Sequence, residues 1–180
     1  RVDITVTDYG FGPHADYAVG SRFYPSQIFA DGQGSMSWNR HALFVKTTQP
    51  NGPSYFVLRD TFPAKVKRPS WWEWMNLDTA DLIQVDGKAF DPFTTPVDKV
   101  VPEAQFPRLR GQVVEMETRH GASTWFWFSQ PHDVAVRMTF TAAKETKTIA
   151  VIAGAPGQDC FYVVYPRRGG EPARAGTQPG

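Results

Sequence analysis

The chain has a single cysteine, Cys160, among its 180 residues. Neither a disulfide framework nor a cysteine-based zinc site can therefore be built within one chain. Lys and Arg number 19 against 18 Asp and Glu, a net charge of +1, so the broad positive footprint of a nucleic-acid binder is missing. No apolar run approaches the ~18–20 residues of a helical membrane span. No window of helical length shows a clean apolar stripe at i, i+3, i+4 and i+7, which argues against a helical bundle. G-x-S-x-G, P-loop, Rossmann and H-E-x-x-H patterns do not occur. The four histidines, His14, His41, His120 and His132, include no pair at metal-helix spacing. Cys160, in the run Asp159-Cys160-Phe161-Tyr162-Val163, reads as a small buried hydrophobe and not as a nucleophile.

What the chain does have is punctuation and aromatics. Gly and Pro contribute 15 residues each, and 14% of the chain is aromatic. That favours many turns and short elements. The apolar pattern has period two or comes in short continuous runs, the signature of strands. Candidate strands are Val2–Val6, Phe23–Ala30 with Pro25 at an edge or bulge, Trp38–Thr47, Ser54–Thr61, Trp71–Leu77 and Leu82–Val85. Gln112–Arg119, Ser123–Gln130, Val134–Thr141, Lys147–Ala153 and Cys160–Tyr165 follow. Gln49-Pro50-Asn51-Gly52-Pro53 is dense turn chemistry, so Trp38–Thr47 and Ser54–Thr61 read as an antiparallel hairpin. Thr141–Thr146 is compatible with one helical turn, and the Pro-rich stretch Asp91–Pro107 reads as a surface loop.

Roughly ten or more short strands with regular turns predict an all-β domain, an antiparallel β-sandwich, over residues 1–166. Residues 167–180 lack apolar periodicity and read as a flexible tail or linker. With Arg1 at one end and that tail at the other, the chain is expected to be one module of a larger protein.

The chemistry-bearing residues leave several readings open. Alternation puts Arg40, Ala42, Phe44 and Lys46 on one face of their strand, and His41, Leu43 and Val45 on the other. His41 either closes the rim of a core or works in a site. Asp60 ends the partner strand and needs a partner, with Arg40, Arg59 and His41 nearest by hairpin geometry. It either caps a turn or joins His41 on a divalent metal, since zinc accepts His and Asp ligands. Trp71, Trp72 and Trp74 share one segment, and Trp125 and Trp127 alternate in another. Adjacent Trp71 and Trp72 cannot both face one side of a strand, so one is either an exposed sugar platform or an interface residue. The segment Asp8–Tyr17 combines Asp8, Tyr9, His14 and Tyr17 with glycines and reads as a loop able to line a cleft, where a tyrosine could move a proton.

The motifs His14-Ala15-Asp16-Tyr17, Trp38–Lys46 (WNRHALFVK), Tyr55–Asp60 (YFVLRD) and Asp159–Pro166 (DCFYVVYP) together resemble the β-sandwich region of heparinase II/III-like polysaccharide lyases. The likeness runs over most of residues 14–166. It implies β-elimination on uronic-acid-containing polysaccharide, performed together with an N-terminal helical toroid that this chain lacks. It also implies an acidic polysaccharide partner, a periplasmic or extracellular location, and a chain that is not active alone. His41 is the position that matches the family's sandwich histidine. His41 and Asp60 match the strands that in some members hold a structural zinc, with no third ligand mapped and no cofactor required otherwise. Arg40, Lys46 and Arg59, with Trp71, Trp72, Tyr17 and His14, are the expected substrate contacts. Two other functions stay open: a non-catalytic carbohydrate-binding module, and a structural β-domain for cell-surface or extracellular assembly.

Overall fold

The computed structural model describes residues 4–25, 36–49, 52–62, 72–76, 80–91, 93–96, 107–118, 121–140, 147–153 and 159–168. These residues form strands and turns and no helix, so the all-β expectation holds. The strands are β1 (Thr5–Phe11), β2 (Ala15–Tyr24), β3 (Met36–Val45), β4 (Tyr55–Thr61), β5 (Trp72–Asn76) and β6 (Ala80–Val85). They continue with β7 (Lys88–Ala89), β8 (Phe93–Pro96), β9 (Leu109–Thr118), β10 (Ala122–Phe140), β11 (Lys147–Ala153) and β12 (Cys160–Arg168). All belong to one hydrogen-bonded network with the main order β1-β2-β3-β4-β12-β10-β9-β6-β7, while β11 and β8 pair with β10 and β5 pairs with β11.

The turn-rich segment after β3 closes the expected hairpin. β3 and β4 run antiparallel from Val45 opposite Tyr55 to Asn39 opposite Thr61. In the turn the Gly52 N–H donates to the Gln49 carbonyl at 3.0 Å and the Thr47 N–H donates to Ser54 Oγ at 3.2 Å. A side chain at position 52 would collide with Thr47, so the loop needs glycine there.

Four expectations change. The segment Asp8–Tyr17 is not a cleft loop but the hairpin of β1 and β2, turning at Gly12–His14 with the Gly12 N–H donating to the Ala15 carbonyl. A bulge between Val6 and Asp8 inserts one residue, so the side-chain alternation breaks and a period-two reading stops at Val6. Part of the Asp91–Pro107 loop is strand β8, parallel to the end of β10. Arg167 and Arg168, expected in the tail, belong to β12, and residues 169–180 lie outside the described residues. The segments Ser123–Gln130 and Val134–Thr141 are joined, as far as Phe140, in one strand of 19 residues, β10.

β10 is continuous because its bend is built, not broken. Between Trp127 and His132 the pairing with β9 shifts, so that Phe128–Pro131 lie opposite the single residue Gln112. Pro131 has no N–H to give a ladder, and a bulge is where a strand tolerates it. The Gln112 amide donates to the Phe128 carbonyl at 3.0 Å. The Asp86 carboxylate accepts from the Gln112 and Val113 backbone N–H groups at 3.1 and 2.8 Å. Gly111 completes the corner: a Cβ there would lie 2.2 Å from Val85 Cγ1. Strands switch direction between packed layers through such bulges. Beyond the bend β10 stays with β9 as far as Val134, then pairs with β11 from Ala135 and with β8 from Arg137.

The core follows from this corner. Register gives the main sheet an inner face along the row Phe11, Asp16, Phe44, Phe56, Val164, Phe126, Val114, Val85. Phe126, Val114 and Val85 are fully buried, Phe56 is exposed at the rim, and Phe11 stands in solvent. Val134 and Val136, from the far half of β10, join Leu58, Tyr162, Phe128 and Met116 in one cluster. The inner face is therefore covered at its centre and bare toward β1.

His132 sits at the corner, 5% exposed, edge-on to Phe128 at 5.4 Å, and its Nε2 has no hydrogen-bond partner among the described residues. Burial lowers its pKa, the charge of Arg110 lowers it further, and Asp133 only partly offsets them. The folded state thus holds a neutral imidazole, while the unfolded chain binds the proton near the usual pKa of ~6.5. By linkage the protein loses stability as pH falls through and below that value. We expect the urea midpoint of the wild type to drop between pH 7.5 and 5.5 by more than that of His132→Gln. Parallel profiles for the two proteins would contradict this.

Candidate functional site

The same registers sort the sequence-derived candidates onto two faces. Arg40 lies opposite Asp60, and His41 opposite Arg59. Neighbouring residues of a strand point to opposite sides. Arg40 and Asp60 therefore share the inner face, and His41 and Arg59 share the outer one.

On the inner face Asp60 is fully buried. Arg40 Nε and Nη2 donate to its two carboxylate oxygens, each at 2.8 Å, and the Tyr162 hydroxyl donates to Oδ2 at 3.1 Å. Arg40 also lies over the Trp38 ring, 4.7 Å from its centroid. Burial works to lower the Arg40 pKa, but the hydrogen bond to Asp60 and the neighbouring negative charge outweigh it and hold it raised. Cys160 stands opposite Asp60 in the next strand, and burial with the Asp60 charge pushes its thiol up to about 12. A thiol so protonated is chemically inert at neutral pH, in line with the sequence reading. The network is a structural clasp between β3, β4 and β12.

This arrangement does not suit the expected metal. His41 and Asp60 lie on opposite faces, and both oxygens of Asp60 are already engaged by Arg40. Among the described residues no group of three His, Cys, Asp or Glu side chains is placed to hold an ion. The physical reason is the one-residue offset in the hairpin register, which pairs Asp60 with position 40 and not with 41.

The outer face carries a different set. The Tyr17 hydroxyl and His41 Nδ1 are 3.0 Å apart. Both side chains are half-buried, so the pair is reachable from solvent. Arg59, directly across from His41, donates to Asp159 at 2.5 Å, with both partners exposed. Farther along the face, Tyr55 and Tyr165 lie 6.4 Å apart. Trp125 follows across from Tyr165, and the Arg167 guanidinium stacks over it at 4.4 Å while approaching Glu115 at 3.6 Å. Trp127 lies on this face as well, two residues beyond Trp125.

Of the remaining candidates, His14 is at the β1–β2 turn, where its carbonyl accepts from the Lys46 backbone N–H. The Lys46 amine donates to the Gly12 carbonyl and pairs with Asp16, bracing the turn. The structure thus brings Tyr17, His41 and Arg59 together and sets Arg40 and Lys46 apart from them. Trp71 lies outside the described residues, and Trp72 is placed only as the first residue of β5.

Three participants escaped the sequence reading. Asp159 just precedes β12 and Tyr162 lies within it, about a hundred positions after their partners Arg59 and Asp60 in β4, beyond the reach of local pattern. Arg167 fell in the segment read as tail. Its signal was the unbroken alternation Tyr165, Arg167 extending the outward set of that strand.

No family model matches the chain, and none of the curated proteins matches it. Among solved structures, its fold is similar to that of a heparan sulfate lyase HepC mutant from Pedobacter heparinus, with a TM-score of 0.50 and 9% identity. The match covers 94% of this chain and 22% of that one, so the chain spans about a fifth of the length of that lyase. At this identity the likeness is one of fold.

Proposed function

We propose that this chain is the β-module of a polysaccharide-lyase-like protein of the periplasm or the extracellular space, and that its outer face forms one wall of a cleft for acidic polysaccharide. The observation that carries the reading is the Tyr17–His41 hydrogen bond beside Arg59 on one solvent-reachable face. The fold likeness to a heparan sulfate lyase supports it.

β-Elimination on a uronide removes the C5 proton, forms the C4–C5 double bond and expels the oxygen on C4. It needs a base, an acid for the leaving oxygen, and a group that neutralises the C6 carboxylate. Arg59 fits the last role. Its ion pair with Asp159 is exposed and therefore weakly held, so a substrate carboxylate can replace Asp159 by bidentate contact. The hydrogen-bonded Tyr17 and His41 are proton-transferring groups held in a fixed mutual orientation, with His41 Nδ1 taken up by Tyr17 and Nε2 left to act. The remaining groups would come from another part of the full protein, for which a helical toroid is the expected partner.

Retention on heparan sulfate and alginate, compared with a neutral glucan, tests the binding half. The chain is expected to be slowed by the acidic polymers only, and Arg59→Ala to weaken retention about tenfold, the loss of one charge-assisted contact of ~1.5 kcal/mol. Equal mobility in all three gels would refute the reading. Ultraviolet absorbance from unsaturated uronide, followed with the full-length parent protein, tests the chemistry; His41→Ala should abolish it.

A second reading has its own support. Tyr55, Tyr165, Trp125 and Trp127 give the outer face half-exposed aromatic surface, suited to stacking on sugar rings without chemistry. Glycan binding that persists with no uronide product from the full-length protein would favour it.

A further inference from the structure

The two ends of the main sheet are treated differently. At one end β7 is two residues long and contains Lys88, the usual way of blunting an edge. At the other end β1 has seven residues, all exposed, with no Lys, Arg or Pro. Ile4 is 57% exposed, Val6 60%, Tyr9 67% and Phe11 79%.

These four side chains share one face. Val6 pairs with Gly20, Tyr9 with Ala18 and Phe11 with Asp16, all inner-face positions. A Cβ on Gly20 would meet Ile4 Cγ2 at 3.3 Å, which puts Ile4 on that side too. The bulge between Val6 and Asp8 makes this so. It absorbs one residue, so even-numbered positions before it and odd-numbered ones after it face the same way.

That change of parity makes β1 self-complementary. An antiparallel pair of two β1 strands with the two-fold axis between Thr7 and Asp8 sets Val6 against Tyr9 and Ile4 against Phe11. On the opposite face it sets Thr5 against Gly10. Aromatic residues facing β-branched ones are favourable cross-strand pairs, and the two Asp8 carboxylates are not directly opposed. Two exposed rings of ~150–250 Å² each and two aliphatic side chains per copy, with the strand edges, bury on the order of 1,000 Å² in total. That is about the lower limit for a specific interface.

We propose that β1 is the docking strand for a second copy of this chain, joining two sheets edge to edge across a two-fold axis. The reading is independent of the outer face and of any glycan.

Sedimentation of the chain over two decades of concentration tests it. The expected result is a shift from 20.2 kDa toward twice that mass as concentration rises. The double substitution Val6→Lys with Tyr9→Lys should weaken self-association at least tenfold. Both sites are exposed, so at a concentration where the wild type is monomeric its urea midpoint should equal the wild-type value, which separates lost docking from lost folding. Register is read by a Val6→Cys, Tyr9→Cys double variant. Within one strand these positions are too far apart to bridge, and between copies they face each other. It should cross-link into a covalent dimer on oxidation, and Val6→Cys alone should do so far less. A monomer at every concentration, or equal cross-linking by the single variant, overturns the proposal.

Discussion

Replacing Asp60 by alanine is expected to cost about 3–5 kcal/mol of stability, the usual penalty for removing one partner of a buried ion pair. The loss comes less from the attraction forfeited than from what stays behind. Arg40 keeps its charge, because a guanidinium is not deprotonated inside a protein. Its Nε and Nη2 lose both acceptors, and the Tyr162 hydroxyl loses its own. Asp60 stands at the junction of β3, β4 and β12, so the damage falls where non-local strands meet. Urea unfolding at pH 7 measures it. Asp60→Asn should recover part of the loss, since an amide oxygen still accepts from arginine. Tyr162→Phe should cost far less than either. An Asp60→Ala protein within 1 kcal/mol of wild type would mean that water reaches the clasp.

Phe126→Ala is expected to destabilise by a comparable amount, about 3–5 kcal/mol, by a different route. Phe126 is fully buried in the row between Val164 and Val114. Truncation removes the transfer free energy of the ring and leaves a cavity that a sheet pinned on both sides cannot close. Phe161→Ala, on an exposed position of β12, is the control and should stay within about 0.5 kcal/mol. A denaturant series on the two variants checks the contrast. If Phe126→Ala proved as mild as Phe161→Ala, the cover supplied by the far half of β10 would be absent in solution.

The legible parts of this chain were those in which local pattern and turn chemistry agree. β3 and β4 alternate cleanly and are joined by a proline- and glycine-dense turn, and the structure pairs them as expected. β11 and β12 were equally plain. The Arg40/His41 face assignment was also correct from alternation. The hairpin of β1 and β2 was not legible, because the bulge near Thr7 shifts the parity that a period-two reading depends on. β10 was split in two because Pro131 normally ends a strand, and only the opposing strand shows that it sits in a bulge. For the site, Tyr17, His41 and Arg59 were all named from sequence. Alternation already sets His41 apart from Arg40 and Lys46, but that Tyr17 joins His41 depends on the β2–β3 register and was not foreseeable.

The amino-acid order settled the class of this protein: short strands, no helical stripe, an inert thiol, and a charge balance without a nucleic-acid footprint. Those properties are local or additive, so they survive without coordinates. Which residues work together was decided by pairing across long sequence separations. One register sets Asp60 opposite Arg40, and another sets it opposite Cys160, within reach of Tyr162, 102 positions away. A slip of one residue would exchange the two faces and bring Asp60 to His41. The choice between a buried clasp and an exposed histidine site therefore belongs to strand register, which forms only when the sheet closes around its core.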